Sequence, residues 1–595
     1  MQILVLEDTK STQELLRRRL LKEGHTVDAV DNGHQGFQLA TSNSYDVIIS
    51  DIQMPHWDGF KFIEAMQVVN PHLPIIIVTS ADKDPEVSKR LNNQPNVLAL
   101  LSKPFDFPTL FHLLATIQVQ NHMGINKKAR IVCTIGPSSN DVTTLGRMIL
   151  AGMDVARLNF SHGSYEQHSA TLSAVREAEK QWQKPIAVLQ DLCGPKIRTG
   201  RMQSGQVLLN KGQVIVIQKK DIEGTAERIS TITPEIIADL NVGDPILLDD
   251  GLLELRVRAV GAEEVTCEVI VGGILKSGKG MNLPGTSLSL PSVTPKDWAD
   301  LDWAFDHSVD YVALSFVRSA QEILEIKARI AKSGRDIRVV AKIEKPEAVN
   351  HIKEIIDASD AIMIARGDMG VELPAARVPR IQQEIIRLCW QMNTPVITAT
   401  QMLDSMTTNS RPTRAEVTDV STAIREGTDA VMLSQETAIG SDPVNVVRTM
   451  ASIISEEEHY STLDHEQYEQ LLEHDGSSNP VLTAVSGFHH TAATLLLDPQ
   501  GVLYPILSKW SRRAPSILVT RSMQIARHAT LYNNIIPIII TEQLRREAAI
   551  SQAITLALQM GCIRKGDLIS VVEGAYVTRD GFAQEGALQL VRVEG

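Results

Sequence analysis

The chain has 595 residues, 43% hydrophobic and 22% charged. This is ordinary globular material, long enough for three to five domains. Its 58 Lys and Arg against 71 Asp and Glu leave a net charge of −13, which argues against a nucleic-acid partner. No stretch approaches the ~18 apolar residues of a membrane span. The five cysteines are scattered without CxxC spacing, which predicts a reduced, cytoplasmic protein. The opening Met1-Gln-Ile-Leu-Val-Leu-Glu-Asp has no basic region and only a short apolar run, so no secretory leader is expected.

In the first 119 residues, four apolar runs each end in polar residues. Ile3–Leu6 leads into Glu7 and Asp8, Val47–Ser50 into Asp51, Ile75–Val78 into Thr79, and Leu98–Ser102 into Lys103. Fully apolar strands between helical segments predict a parallel sheet covered on both faces. Reactive residues of such sheets gather at the carboxyl ends of the strands. Glu7, Asp8 and Asp51 together need a cation, and hard oxygen ligands suit Mg²⁺. An aspartate can attack phosphorus, with a hydroxyl and a lysine to hold the phosphoryl oxygens.

These residues, with the loop Asp51-Ile-Gln-Met-Pro-His-Trp-Asp-Gly59, resemble a response-regulator receiver domain, a flavodoxin-like fold. The resemblance implies Asp51 as phosphoacceptor, Glu7 and Asp8 with Asp51 as metal ligands, Thr79 as switch hydroxyl and Lys103 as its lysine. It also implies a phosphodonor, either a histidine kinase or a small phosphorylated molecule. The family's aromatic switch position is Leu100 here.

A polar linker, Gln120–Lys128, precedes a new rhythm. Strands are expected at Arg130–Ile135, Asp154–Phe160, Ile186–Asp191, Tyr311–Phe316, Arg338–Glu344, Ala361–Ala365, Pro395–Thr400 and Ala430–Ser434. Eight βα units make a (β/α)8 barrel over 128–199 and 288–455. Only the interval between 186 and 311 is too long for one unit. It predicts an inserted β domain at 200–287, with runs such as Gln213–Gln218 and Val265–Val271.

Barrel enzymes work at the carboxyl ends of their strands. Those ends here carry Arg157, Asn159 and Ser161, then Asp191 with Arg198, Lys342 and Glu344, Arg366-Gly367-Asp368, Thr400, and Ser434 with Glu436. Glu344 and Asp368 form the sparse carboxylate pair that Mg²⁺ commonly takes. Lys342 and Arg157 would neutralise a transferring phosphoryl group. Gly273-Ile-Leu-Lys-Ser-Gly-Lys-Gly280 nearly spells a Walker A loop. It lacks the final Ser/Thr, and Pro284 and Gly285 follow where a helix should start. A loop of the inserted domain fits better.

The stretches Ile131–Pro137, Ala156–Gly163, Asp191–Gly200, Asn282–Gly285, Ala341–Ala348, Ala365–Asp368, Ala399–Met402 and Arg411–Glu416 closely resemble the pyruvate kinase family. That resemblance implies phosphoryl transfer from phosphoenolpyruvate to ADP, with Mg²⁺ or Mn²⁺ on Glu344 and Asp368. Lys342, Arg157 and Thr400 become the catalytic residues. Asn159, His162, Arg198, Lys279, Gly367 and Ser434 become substrate and nucleotide contacts, and the insertion becomes a mobile lid. Homo-tetramers are usual in the family.

Asn159, Ser161 and Asp191 resemble the family's K⁺ site. Lys196 stands where K⁺-dependent members carry Glu, and Leu192 where they commonly carry Thr. Activity without K⁺ is therefore expected. Gln435 replaces a usual Gly.

Beyond a polar stretch from Ser455 to Pro480, alternating helical and strand patterns over 477–595 predict an α/β domain. Ser508–Pro515 resembles a segment of the family's C-terminal domain. Its Ser/Thr-rich effector loop corresponds here to Asp498-Pro-Gln-Gly-Val-Leu503, which has no hydroxyls. This predicts a lost or altered effector pocket. His489-His490 is expected on a helix surface or in the core.

Overall fold

The structure is a computed structural model. It describes residues 2–43, 45–69, 73–80, 91, 97–104, 107–111, 113–114, 127–286, 288–460, 491–510, 514–540, 542, 544–560, 562–573 and 587–594. Residues 120–126 of the linker, 461–480 of the polar stretch, 511–513 of the Ser508–Pro515 segment and the His489-His490 pair lie outside the described residues. The chain divides into two compact units, one led by residues 1–126 and one by residues 127–553.

The first unit holds a five-stranded sheet in the order Thr26–Val30, Gln2–Leu6, Val47–Ser50, Ile75–Thr79, Val97–Ser102. Every pairing is parallel. Separate apolar clusters cover the two faces, as continuous β-branched runs require. The edge strand Thr26–Val30 was not among the expected runs. Its sequence TVDAV buries only Val27, so no apolar run marks it.

The second unit is built on a closed barrel of eight parallel strands. They run Arg130–Thr134, Val155–Asn159, Ala187–Asp191, Tyr311–Leu314, Arg338–Ile343, Ala361–Ala365, Val396–Ala399 and Ala430–Leu433. Each lies within an expected run, and several stop one or two residues short. Phe316, Glu344, Thr400 and Ser434 therefore sit on the loops just past the strands.

Between the third and fourth barrel strands lie a six-stranded and a two-stranded sheet. Residues such as Ile215, Ile217, Leu255, Val257 and Cys267 fill their shared core. The C-terminal sheet orders Ile535–Ile539, Ser516–Thr520, Ala493–Leu497, Leu568–Glu573 and Ala587–Arg592, with only the last strand antiparallel.

The barrel interior and this sheet share one core. Val132, Tyr311, Val340 and Ile397 pack in the same cluster as Tyr504, Leu507, Leu518 and Tyr532. Tyr311 OH donates to the His528 carbonyl at 2.6 Å. Arg130 donates to the carbonyls of Tyr532 and Ile535. Fully buried Lys509 pairs with fully buried Asp429. Among the described residues, no helix is long and apolar enough to cross a membrane.

Candidate functional site

In the first unit, Glu7, Asp8 and Asp51 meet at the strand ends, their carboxylate oxygens within 4.8 Å of one another. Lys103 Nζ lies 2.5 Å from Asp51 Oδ2 and 2.7 Å from Glu7 Oε2. Burial disfavours the Lys103 ammonium. Its bonds to Asp51 and Glu7 outweigh that effect and hold its pKa above the ordinary value. Asp51 Oδ1 accepts from the amides of Ile52 at 2.6 Å and Gln53 at 3.1 Å, while Oδ2 faces the lysine. Thr79 ends the fourth strand in sequence and is fully buried. The Lys103 amide donates to its carbonyl at 2.8 Å. One ammonium among three carboxylates leaves excess negative charge, a donor set that fits a divalent cation.

In the barrel mouth, Lys342 projects from the fifth strand into a nearly closed polar pocket. Its Nζ donates to Ser315 Oγ at 2.7 Å and lies 3.1 Å from Glu344 Oε1 and 3.3 Å from Asp191 Oδ1. Burial alone disfavours its charged form. The Asp191 and Glu344 carboxylates more than offset that and hold it firmly charged. Arg157 Nε donates to Asp191 Oδ2 at 2.7 Å and Nη1 to Thr134 Oγ1 at 2.8 Å. Burial opposes Asp191 ionisation, yet Lys342 and Arg157 keep its pKa below the usual carboxylate value. Ser315 and Thr134 were not singled out from sequence. Each follows or ends an apolar strand, the one signal available.

Glu344 is 1% exposed. Its Oε2 accepts from the Phe316 amide at 2.7 Å. Its Oε1 takes no aligned hydrogen bond. Burial raises its pKa, Lys342 lowers it and nearby Asp368 raises it again. A buried carboxylate oxygen with no aligned hydrogen bond, 3.1 Å from the Lys342 ammonium and near a second carboxylate, offers a donor that a hard cation fits.

Asp368 lies in the first turn of the helix Arg366–Glu372. It lines a small lid–barrel cavity of about 40 Å³ with Lys196, Asn282, Phe316, Lys345 and Glu372. Asn282 of the lid donates to Glu372 Oε1 at 2.9 Å, and Lys345 pairs with the same oxygen at 2.8 Å. The Gly367 amide donates to Thr400 Oγ1 at 2.8 Å.

Other expected contacts spread around this mouth. Asn159 Oδ1 accepts from the Ser161 amide at 3.2 Å. His162 and Lys196 are exposed. The His162 carbonyl accepts from His168 Nε2 at 2.9 Å. Ser434 is held by its amide, which donates to Glu436 Oε2 at 2.6 Å. Arg198 and Lys279 come together at the edge of the inserted domain, where Arg198 Nη1 donates to the Gly278 carbonyl at 2.9 Å. Lys279 Nζ pairs with Asp249 at 2.8 Å.

The C-terminal domain holds a cavity of about 400 Å³ at its strand ends, lined by Leu497, Asp498, Thr520, Arg521, Arg546 and Glu573. Ala493–Leu497 and Leu568–Glu573 flank the sheet's switch point, where such folds take ligands. Loop 498–503 lacks hydroxyls, but its backbone donors are engaged. Asp498 Oδ1 accepts from the Val502 amide at 2.9 Å. Oδ2 accepts from Leu503 at 2.7 Å and Tyr504 at 3.1 Å. The carboxylate thus fills its own cluster of N–H groups.

Comparison with known proteins agrees with this geometry. Residues 3–115 match the response regulator receiver domain family. Residues 126–447 match the pyruvate kinase barrel domain, and 501–585 the pyruvate kinase alpha/beta domain. The pyruvate kinase of Geobacillus stearothermophilus is 41% identical over 77% of this chain and 79% of its own length. That of Staphylococcus epidermidis is 39% identical over 78% and 80%, and that of Staphylococcus aureus likewise. With the charged Lys342–Asp191–Glu344 pocket in the barrel mouth and a receiver domain ahead of it, the chain belongs to the pyruvate kinase family.

Proposed function

We propose that the chain transfers the phosphoryl group of phosphoenolpyruvate to ADP, giving pyruvate and ATP in glycolysis, and that phosphorylation of Asp51 modulates it. The observation carrying the catalytic part is Lys342, a buried lysine held charged by Asp191 and Glu344 at the barrel mouth. An ammonium fixed in a low-dielectric pocket stabilises charge on a group in transit. Arg157 adds a second cation, oriented by Asp191 and Thr134. Thr400 stands beside the enolate carbon and the proton chain that quenches it.

Glu344 and Asp368 would hold Mg²⁺ or Mn²⁺, which supplies charge neutralisation to the phosphoryl oxygens. Asn159, His162, Gly367 and Ser434 contact substrate or nucleotide. Arg198 and Lys279 on the lid approach the nucleotide phosphates, and lid closure excludes the water that competes with ADP. Lys196 supplies the positive charge that K⁺ gives to relatives, so K⁺ is not required. Equal rates in tetramethylammonium and potassium buffers are expected, and a many-fold drop without K⁺ would refute this.

In the receiver, Asp51 accepts phosphate from a histidine kinase or a small phosphodonor, with Mg²⁺ on Glu7, Asp8 and Asp51. Thr79 and Lys103 engage the new oxygens. The protein works in the cytoplasm as a homo-tetramer. A coupled assay for pyruvate formation tests the catalytic reading. A non-catalytic sensor of phosphoenolpyruvate would bind substrate and form none. Kinetics with and without beryllium fluoride, beside Asp51→Asn, test the regulatory reading. Superimposable curves in every case would refute it.

A further inference from the structure

Thr400 has φ of 71° and Gln401 φ of 54°. A β-branched residue in the left-handed region is an outlier costing roughly 1–3 kcal/mol. Such a conformation persists only where its surroundings over-determine it.

Arg366 supplies that constraint. Its Nη2 donates to the Thr400 carbonyl at 2.7 Å and its Nε to the Ala399 carbonyl at 3.3 Å. Nη2 also lies 2.8 Å from Met402 Sδ. Nη1 donates to Asp419 Oδ1 at 2.7 Å, which fixes the far edge of the guanidinium. The side chain is only 11% exposed. Arg366 itself begins the helix that carries Gly367 and Asp368. The Gly367 amide donates to Thr400 Oγ1, which in turn donates to the Ala399 carbonyl at 2.6 Å. One planar fork therefore joins the turn bearing Asp368 to the strained turn bearing Thr400.

We propose that Arg366 is a positioning residue for the phosphoenolpyruvate reaction, holding the Thr400 hydroxyl in the chain that relays a solvent proton to the enolate carbon. This rests on the reading of Thr400 given above. The guanidinium does not touch substrate. It acts by denying Thr400 the relaxed φ < 0 conformation, in which the hydroxyl would swing away from Gly367. A lysine brings a single point charge and cannot hold two carbonyls and a carboxylate in one plane. Arg157 and Lys342 lie outside this network, so their hold on the phosphoryl group is left in place.

The test uses the full chain with Arg366→Lys and Asp419→Asn. It reads steady-state kinetics and the exchange of pyruvate methyl hydrogens for solvent deuterium in the presence of ATP. A misplacement of about 1 Å costs on the order of 10²-fold. Arg366→Lys is expected to lose about that in kcat and in methyl exchange, with KM for phosphoenolpyruvate within about threefold of the parent. Asp419→Asn keeps the arginine and should lose several-fold in kcat with the same flat KM.

Unchanged kcat in Arg366→Lys overturns the role, as does a KM that rises in step with the loss of kcat. If Arg366→Lys does not fold, Asp419→Asn decides: a drop in kcat with flat KM supports the role and parental kinetics overturn it. A parent chain that forms no pyruvate overturns the reaction reading and this role with it. An active parent indifferent to both substitutions overturns the role alone.

Discussion

Asp498→Ala removes the acceptor of three backbone hydrogen bonds, from Val502, Leu503 and Tyr504 at 2.9, 2.7 and 3.1 Å. The residue is 2% exposed, so water reaches the abandoned amides poorly. A hydrogen bond to a charged acceptor nets roughly 1.5–3 kcal/mol. Bonds sharing one carboxylate are not independent, so their sum overstates the loss. About 3–4 kcal/mol is expected for the trio, and about half of that for Asp498→Asn, which keeps an acceptor and loses the charge. At about 1.4 kcal/mol per tenfold, Asp498→Ala should raise local opening about 10²–10³-fold. Amide hydrogen exchange at 502–504 reads this directly, with the strand Ser516–Thr520 as internal reference. Parental protection at those amides would refute the reasoning. So would equal loss in the Asn and Ala variants, since that would assign nothing to the charge.

Lys342→Met should cut kcat by at least about 10³-fold, above the loss of a single oxyanion donor, with circular dichroism unchanged; a loss under tenfold would refute its role. Lys509→Met strands Asp429 as a buried unpaired charge and should destabilise the second unit by about 3–5 kcal/mol in urea unfolding. Adding Asp429→Asn should recover a good part of that. Burial, with Arg338 and Arg527 nearby, depresses the His528 pKa from 6.5 to about 3. The unfolded chain therefore binds a proton that the folded chain refuses. Stability should fall as pH drops from about 6.5 towards 3, by up to about 5 kcal/mol. His528→Gln should flatten that limb, and a parental acid profile in the variant would refute the assignment.

The barrel was legible because its strands are mostly apolar and turn polar towards their carboxyl ends. That contrast marked Arg157, Asp191, Lys342 and Glu344 directly. Thr26–Val30 was missed because an edge strand buried on little more than Val27 carries no such contrast. Ser315, Thr134 and Arg366 were not assigned roles because each acts through a partner from a distant segment, and pairing across the barrel leaves no local pattern. The 498–503 loop shows a different limit. The loop has no hydroxyls, and the Asp498 carboxylate accepts from the backbone amides of Val502, Leu503 and Tyr504. An Asp shortly before a helix is a familiar capping signal, so that reading was available.

Asp498 also has a consequence for responsiveness. A ligand that diffuses reports its own concentration, because its site empties as it becomes scarce. A carboxylate tethered four to six residues from its N–H donors never becomes scarce, and its effective concentration is set by chain geometry alone. The helix Tyr504–Trp510 then starts on that fixed anion and ends, through Lys509, against Asp429 beneath the last barrel strands. This corner carries a built-in anion whose occupancy does not change with solute concentration.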